Sequence, residues 1–356
     1  MKSVLEGKAP LADIQPHIDQ CLGCLACEPA CPSGVHYRNI VTPFRAEHQP
    51  TRLPVQQTLI SKTLPYPLRF KCATALGRLA ARFKRFLPAT LQPMLERMPA
   101  QLPRAASLPE FVPAEGEVRG TVVMLTGCVQ RVLAPEINAK TARLLARQGF
   151  NVRIPKKQSC CGSLDWHQGR HTAAQKHLRK LTAQIPGDVD AIISNAAGCG
   201  SSIAEAEWIL KGEDNEAAGI TFAKKTAELS RFIHRRGIRA LPGPPKLTRV
   251  AIQDACHLLN GQGIEHEPRA LLKAIPNIEV VELISTGCCG SAGTFNIEHP
   301  TLAADLGRQK AQHILEAQVD VVVSGNIGCI LQLRPYIEEL GGPEIMHFAE
   351  FLESVS

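Results

Sequence analysis

Cys160-Cys161-Gly162-Ser163 and Cys288-Cys289-Gly290-Ser291 are the same four residues in the same order, 128 positions apart. The register extends outward. Cys128 and Cys256 precede the two pairs at the same spacing of 128, and Cys199 and Cys329, each in a Gly-Cys dipeptide, follow them 130 apart. Chance does not hold three offsets identical, so the chain carries an internal duplication. Around each cysteine grid, strand-sized apolar runs alternate with helix-sized amphipathic ones. In the first half the pattern predicts strands over 121–126, 151–154 and 191–194, helices over 134–148 and 171–184, and another helix opening at Gly198-Cys199. In the second it predicts strands over 249–253, 279–283 and 319–323, helices over 267–274 and 301–316, and one from Gly328-Cys329. Alternation of this kind indicates α/β domains with parallel sheets.

Each cysteine of the grid then falls where a strand meets the following turn or helix. The carboxyl ends of parallel strands share one rim, where ligands bind. Cys128, Cys160, Cys161 and Cys199 are therefore expected to converge on one point, and Cys256, Cys288, Cys289 and Cys329 on another. Adjacent cysteines present two sulfurs together, the glycine after them lets backbone approach a bulky group, and a helix N-terminus favours thiolate. Buried structural cysteines, a reducible vicinal disulfide, zinc and an iron–sulfur or related redox centre are all readings of such a grid. The repetition favours the last, because zinc takes separated Cys-x-x-Cys knuckles and has no need of adjacent thiols.

A second signal lies near the start. Cys21-Leu-Gly-Cys24-Leu-Ala-Cys27-Glu-Pro-Ala-Cys31-Pro32 has the spacing C-x2-C-x2-C-x3-C-P of bacterial ferredoxins, which predicts a [4Fe–4S] cluster on Cys21, Cys24, Cys27 and Cys31. In two-cluster ferredoxins the fourth cysteine ligates the other cluster. Either Cys31 folds back onto the same cluster, or a second motif lies elsewhere. No G-x-G-x-x-G opens a helix after a strand, so flavin or nicotinamide chemistry is expected on a partner.

Composition sets the frame. The 356 residues are 44% hydrophobic and 21% charged, as in soluble globular chains of two or three domains. Met1 to Gln20 carries Lys2, Glu6, Lys8, Asp13 and Asp19 and no apolar core run, so a cytoplasmic chain is expected, where thiols stay reduced and many cysteines serve metals or catalysis. Four parts emerge: a ferredoxin-like domain over 1–48, a proline-punctuated linker over 49–118, and the two repeats over 119–240 and 246–356. The linker repeats Leu-Pro at Leu53, Leu64, Leu87, Leu102 and Leu108, which argues for short helices and against a sheet. Between His48 and Leu95 there is no acidic residue, while Arg52, Lys62, Arg69, Lys71, Arg78, Arg82, Lys84 and Arg85 give that stretch a charge of +8 against +7 for the whole chain. Leu68, Cys72, Leu76, Leu79, Phe83 and Phe86 follow helical spacing there. The expectation is an amphipathic helix that buries this stripe, Cys72 included, on its own protein; an acidic partner or anionic lipid is the other reading, and nucleic acid is not expected.

The ferredoxin run, the basic link and the two Cys-Cys-Gly repeats together resemble the iron–sulfur subunit of bacterial glycolate oxidase. The iron–sulfur subunits of lactate utilisation, anaerobic glycerol-3-phosphate dehydrogenase and heterodisulfide reductase share the Cys-Cys-Gly domain. Cys31-Pro-Ser-Gly-Val-His-Tyr37, Cys160-Cys-Gly162, Cys288-Cys-Gly-Ser-Ala-Gly-Thr294 and Asn326-Ile-Gly-Cys329 carry the likeness. It implies an electron-transfer subunit for a flavin-dependent glycolate dehydrogenase, with FAD on a partner subunit, transfer to a quinone or other acceptor, and a site at the inner face of the membrane. A thiol/disulfide redox subunit like heterodisulfide reductase is the alternative. Two features depart from the family pattern. There is one ferredoxin motif where two are usual, and Met1-Lys-Ser-Val-Leu-Glu-Gly7 resembles the family's interior before the second, so the expectation is an internal methionine taken as the start or a true truncation. Ala196 and Asn326 stand where the heterodisulfide reductase branch has the first cysteine of Cys-x-x-Cys, which leaves open whether further clusters occupy the repeats.

Overall fold

The computed structural model describes residues 1–49, 54–86, 88, 92–96, 101–104, 108–284 and 287–356. Arg52, Leu53 and Leu87, named above, lie outside the described residues. Strands β1 (Phe111–Val112), β2 (Gly120–Met124), β3 (Phe150–Arg153), β4 (Ala191–Ser194) and β5 (Thr226–Glu228) form one sheet in the order β1-β3-β2-β4-β5. Strands β6 (Thr248–Ile252), β7 (Ile278–Val281), β8 (Val321–Ser324) and β9 (Glu344–His347) form a second, in the order β7-β6-β8-β9. All pairs are parallel except β1 on β3, where Phe111 faces Arg153. The linker thus ends as an edge strand, contrary to the proline pattern. An uncovered β3 edge would leave its backbone groups without partners, and β1 supplies them.

The central parallel strands β2, β4, β6 and β8 are buried on both faces, as parallel sheets require, and the two faces have different tasks. Val122 and Met124 point into a core shared by both repeats, where they meet Val250, Ile252, Leu272, Phe348 and Leu352. Val123 and Leu125, one residue out of phase, point the other way, into an apolar cluster that contains Cys128, Cys160 and Cys161. Ala251 does the same beside Cys289 and Cys329.

The last helix of each repeat closes the other repeat. Phe348–Ser354 packs on Pro135–Arg147, where Arg143 reaches Glu353 at 2.8 Å and Lys140 reaches Glu350 at 3.2 Å. Leu229–Arg236 packs on His266–Lys273, tied by Arg231 to Glu267 at 2.7 Å. Both exchanged helices begin with a side-chain cap at the end of the preceding strand: Glu228 accepts from the Ser230 and Arg231 amides, and His347 from the Ala349 amide.

At the N-terminus, helices Leu11–Asp19 and Arg38–Glu47 bury Ile18, Val41 and Phe44 against each other and bracket the cysteine loop. The linker holds helices Val55–Thr63, Pro67–Ala81 and Gln92–Glu96. Pro67–Ala81 is the basic helix, and its packing is the reverse of the expected one. Thr74 is buried and Ala73, Gly77 and Ala80 half-buried on the inward side, while Leu76 stays 68% exposed and Phe86 70%. Cys72 is exposed and is not a core residue. Small side chains let the backbone lie close to its neighbours, so the bulky stripe is left outside. Among the described residues no helix is long and apolar enough to cross a membrane.

Candidate metal centres

The structure brings the four grid cysteines of each repeat into a continuous chain of thiol contacts. In the first, the Cys128 and Cys160 sulfurs are 3.3 Å apart, Cys160 hydrogen-bonds Cys161, and Cys161 hydrogen-bonds Cys199. In the second, the order is Cys256, Cys288, Cys289, Cys329. Each set comes from three loops at the carboxyl ends of three adjacent strands, β3-β2-β4 and β7-β6-β8. The strands all run the same way, but the order in which they are added reverses between β2 and β4, and between β6 and β8, which is where such sheets hold ligands.

Glycine makes the pairs fit. Gly162 and Gly290 adopt φ of 85° and 86°, and their amides donate to Cys160 and Cys288 sulfurs at 3.4 Å. A Cβ on Gly290 would lie 2.5 Å from the Ala303 carbonyl oxygen, and one on Gly162 2.9 Å from that of Ala174. Gly290→Ala is expected to destabilise the fold by at least about 1–3 kcal/mol, from backbone strain alone. A shifted denaturation midpoint would show it, and an unchanged one would disprove the requirement.

Charge within each set concentrates on one member. Hydrogen bonds from Cys160 and then Cys199 hold the Cys161 thiol well below its ordinary range. Cys256 and then Cys289 do the same for Cys288, which falls to about 3. Contact with the neighbouring thiol, together with burial, pushes Cys160, Cys199, Cys256 and Cys289 up. A cation stands by each set. Arg131 stands half-buried beside Cys128 and Cys160, and its Nε donates to the carbonyl of Gly127 at 3.0 Å. Lys310 Nζ donates to the Gly287 carbonyl at 3.2 Å, next to Cys288 and close to Cys289 and Cys329. Neither was legible from the cysteine spacing.

Soft thiolates, low water access and a nearby cation suit an anionic iron–sulfur group. Thiolates on one tetrahedral ion would lie about 3.8 Å apart, from a metal–sulfur distance of about 2.3 Å. The 3.3 Å contact is a thiol hydrogen bond instead. Consistently, among the described residues no group of three or more His, Cys, Asp or Glu is arranged to hold a metal ion.

The ferredoxin run forms a loop with left-handed backbone at Gly23 and Leu25 (φ 62° and 60°), and the Gly23 amide donates to the Cys21 sulfur at 3.5 Å. Burial raises Cys24 and Cys27, and the charges of neighbouring run cysteines raise both further. Tyr37 hydrogen-bonds Cys21, and burial followed by that sulfur pushes its hydroxyl to about 12. Cys31 is half-buried, within electrostatic reach of Cys27, and held below its ordinary value by the amides of Val35, Ser33 and Gly34.

This loop is anchored on the second repeat. His257 Nε2 donates to the Gly23 carbonyl at 3.0 Å and Asn260 Nδ2 to that of Cys24 at 2.9 Å. Both lie on helix Cys256–Gln262, which begins with a tetrad cysteine. Cys24 lies within electrostatic reach of Cys288 and Cys256. Arg38 grips Glu28 at 2.7 Å and donates onward to the Asn260 carbonyl at 3.2 Å. Arg45 ties Cys21 O, at 2.8 Å, to His167 O of the first repeat, at 2.8 Å. No sequence reading singled out Arg38, Arg45, His257 or Asn260; only the position of His257, next to Cys256, was a hint.

Twin thiol sets on twin parallel sheets define a protein of the cysteine-rich-domain class. The family model for that domain matches twice, over residues 122–204 and 250–334. The chain is 30% identical to the "Probable glycolate oxidase iron-sulfur subunit" of Bacillus subtilis and 30% identical to the "Glycolate oxidase iron-sulfur subunit" of Escherichia coli. Each alignment covers 99% of this chain and 85% of the relative. The "Lactate utilization protein A" of Oceanobacillus iheyensis is 27% identical over 65% of this chain and 96% of its own length. The chain belongs to the family of glycolate oxidase iron–sulfur subunits.

Proposed function

We propose that the chain is the electron-transfer subunit of a flavin-dependent glycolate dehydrogenase. A partner subunit carrying FAD oxidises glycolate to glyoxylate, releasing two electrons and two protons, and this chain conducts the electrons to a quinone or another acceptor. Cys21, Cys24, Cys27 and Cys31 would hold a [4Fe–4S] cluster, and Cys128, Cys160, Cys161 and Cys199, with Cys256, Cys288, Cys289 and Cys329, further centres. Such groups supply reversible one-electron storage. The protein's own residues fix the path. His257 and Asn260 clamp the Cys24 loop against the helix that starts at Cys256, and Arg38 and Arg45 keep it seated. That clamp is the observation that carries the reading, since it sets the N-terminal thiols beside the second tetrad. Gly162 and Gly290 let the paired cysteines lie close against the Ala174 and Ala303 backbone, apolar walls surround them, and Arg131 and Lys310 offset negative charge.

Anaerobic purification with iron and sulfide quantitation tests it. About four irons per chain would place a cluster in the ferredoxin run alone, and about eight to twelve would fill the tetrads. No iron at all would sink the reading. Glycolate-dependent acceptor reduction after reconstitution with the flavin subunit, set against lactate and glycerol 3-phosphate, identifies the donor. A second reading rests on the 3.3 Å contact of Cys128 with Cys160. Those two thiols could pass to a disulfide, releasing two electrons and two protons, as in a thiol/disulfide redox subunit; mass analysis of the iron-free chain after mild oxidation separates the two.

A further inference from the structure

The basic helix has three distinct sides. Ala73, Thr74, Gly77 and Ala80 face the protein. Leu68, Leu76, Leu79, Phe83 and Phe86 form one continuous apolar stripe on the opposite side, each more than half exposed. Along the borders of that stripe stand Arg69, Lys71, Arg78, Arg82 and Arg85, all exposed. Among the described residues none of these five forms an ion pair. Arg69 instead lies over the Tyr66 ring at 4.5 Å and Arg85 over that of Phe86 at 4.6 Å. The neighbouring helix also exposes Val55, at 68%, and Lys62.

An apolar stripe left in water is a cost the fold would not carry without a use, since contiguous exposed apolar patches mark binding sites. Two occupants are conceivable, and the charge decides between them. Protein interfaces also enrich arginine and aromatic rings, so those residue types alone do not choose; the single sign of the charge over a long stretch does. Here 47 consecutive positions, from Gln49 to Leu95, contain no acidic residue. Long cationic side chains flanking a Leu and Phe stripe are what a helix lying in a bilayer interface uses: the rings and leucines enter the acyl boundary, and the guanidinium groups stay at anionic headgroups. We infer that helix Pro67–Ala81 and its Lys84–Phe86 extension bind this chain, lying flat, to the surface of an anionic phospholipid bilayer. The pose needs no membrane-spanning helix and is independent of which centres the cysteines hold.

Vesicle sedimentation of the purified full chain tests it. Binding to phosphatidylcholine vesicles containing phosphatidylglycerol should exceed binding to phosphatidylcholine alone at least tenfold, and should weaken as salt rises. The triple variant Arg78→Glu, Arg82→Glu, Arg85→Glu should lose that preference, and the double variant Leu79→Glu, Phe83→Glu should lose binding at least tenfold even at low salt. A Leu76→Trp chain should gain emission quenched by brominated lipid. These side chains are all exposed, so iron content and circular dichroism should be unchanged. Equal binding to neutral and anionic vesicles, no sedimentation with either, or full binding by the arginine variant would overturn the inference and leave the stripe to a protein partner.

Discussion

Replacing Cys288 by Ser is expected, on the proposed function, to break onward electron transfer while leaving the proposed flavin partner reducible by glycolate. Cys288 is the member of the second tetrad on which negative charge settles, held down to about 3 by its hydrogen bonds to Cys256 and Cys289. It is also the tetrad thiol, with Cys256, that lies within electrostatic reach of Cys24. Serine cannot supply a soft anion there, because its hydroxyl stays protonated. Loss of residues that merely support a metal ligand costs about 10–100-fold, so loss of this sulfur should cost no less in steady-state reduction of a quinone analogue. The matching change in the first tetrad is Cys161→Ser, because there the second cysteine of the pair carries the charge. Cys72→Ser, on the exposed stripe, should stay within about twofold. Rapid mixing separates flavin reduction from transfer. Onward transfer at the parent rate in Cys288→Ser would remove the second tetrad from the path.

Much of the fold was legible, and the reason is the strength of its periodicity. The helix His171–Gln184 and the strand Ala191–Ser194 lie where the pattern predicts them, and β2, β3 and β6 to β8 are displaced by two residues or fewer at either end. The duplication follows from cysteine offsets alone, and so does the convergence of each set of four, because strand ends in a parallel sheet share a rim. What stayed hidden is of three kinds. Short capped strands such as β5 and β9 are too brief for a period, and only their caps, Glu228 and His347, mark them. The exchange of closing helices cannot be read from amphipathicity, which says that Phe348–Ser354 must bury a face but not that Pro135–Arg147 receives it. Long-range polar anchors leave no spacing at all: Arg38 meets Asn260 across 222 positions of chain.

The basic helix shows how periodicity misleads. Its bulky stripe satisfies the helical spacing, yet the face that packs is the one with Ala73, Thr74 and Gly77. Counting hydrophobic side chains favours the first face, whereas close backbone approach favours the second. The structure took the second and left the first for another surface.

Acidification from pH 6.5 towards 4 is expected to loosen the joint between the repeats through His347. Its Nε2 donates to the Asn195 carbonyl at the end of β4 at 2.8 Å, and its Nδ1 accepts from the Ala349 amide at 3.1 Å. Only a neutral ring can do both. Burial dominates and holds the folded value down to about 4, although the Asn195 carbonyl and Glu350 pull upward. In the unfolded chain the ring titrates near its ordinary value of about 6.5. Below that pH the unfolded state takes up a proton that the folded state refuses, so the stability present above pH 6.5 is lost as pH falls towards 4. The limit is roughly 3 kcal/mol, from about 1.4 kcal/mol per pH unit over that interval. His167 and His257, half-buried and lowered chiefly by desolvation, add in the same direction. Glu205 and Glu228 oppose it, since burial raises their carboxyls and the folded state then gains from protonation. A His347→Gln chain isolates the effect. Its urea midpoint should be lower than the parent's at pH 7.5, and the gap should narrow steadily between pH 6.5 and 4. Midpoint curves that run parallel across that range would show that His347 is not the group that titrates.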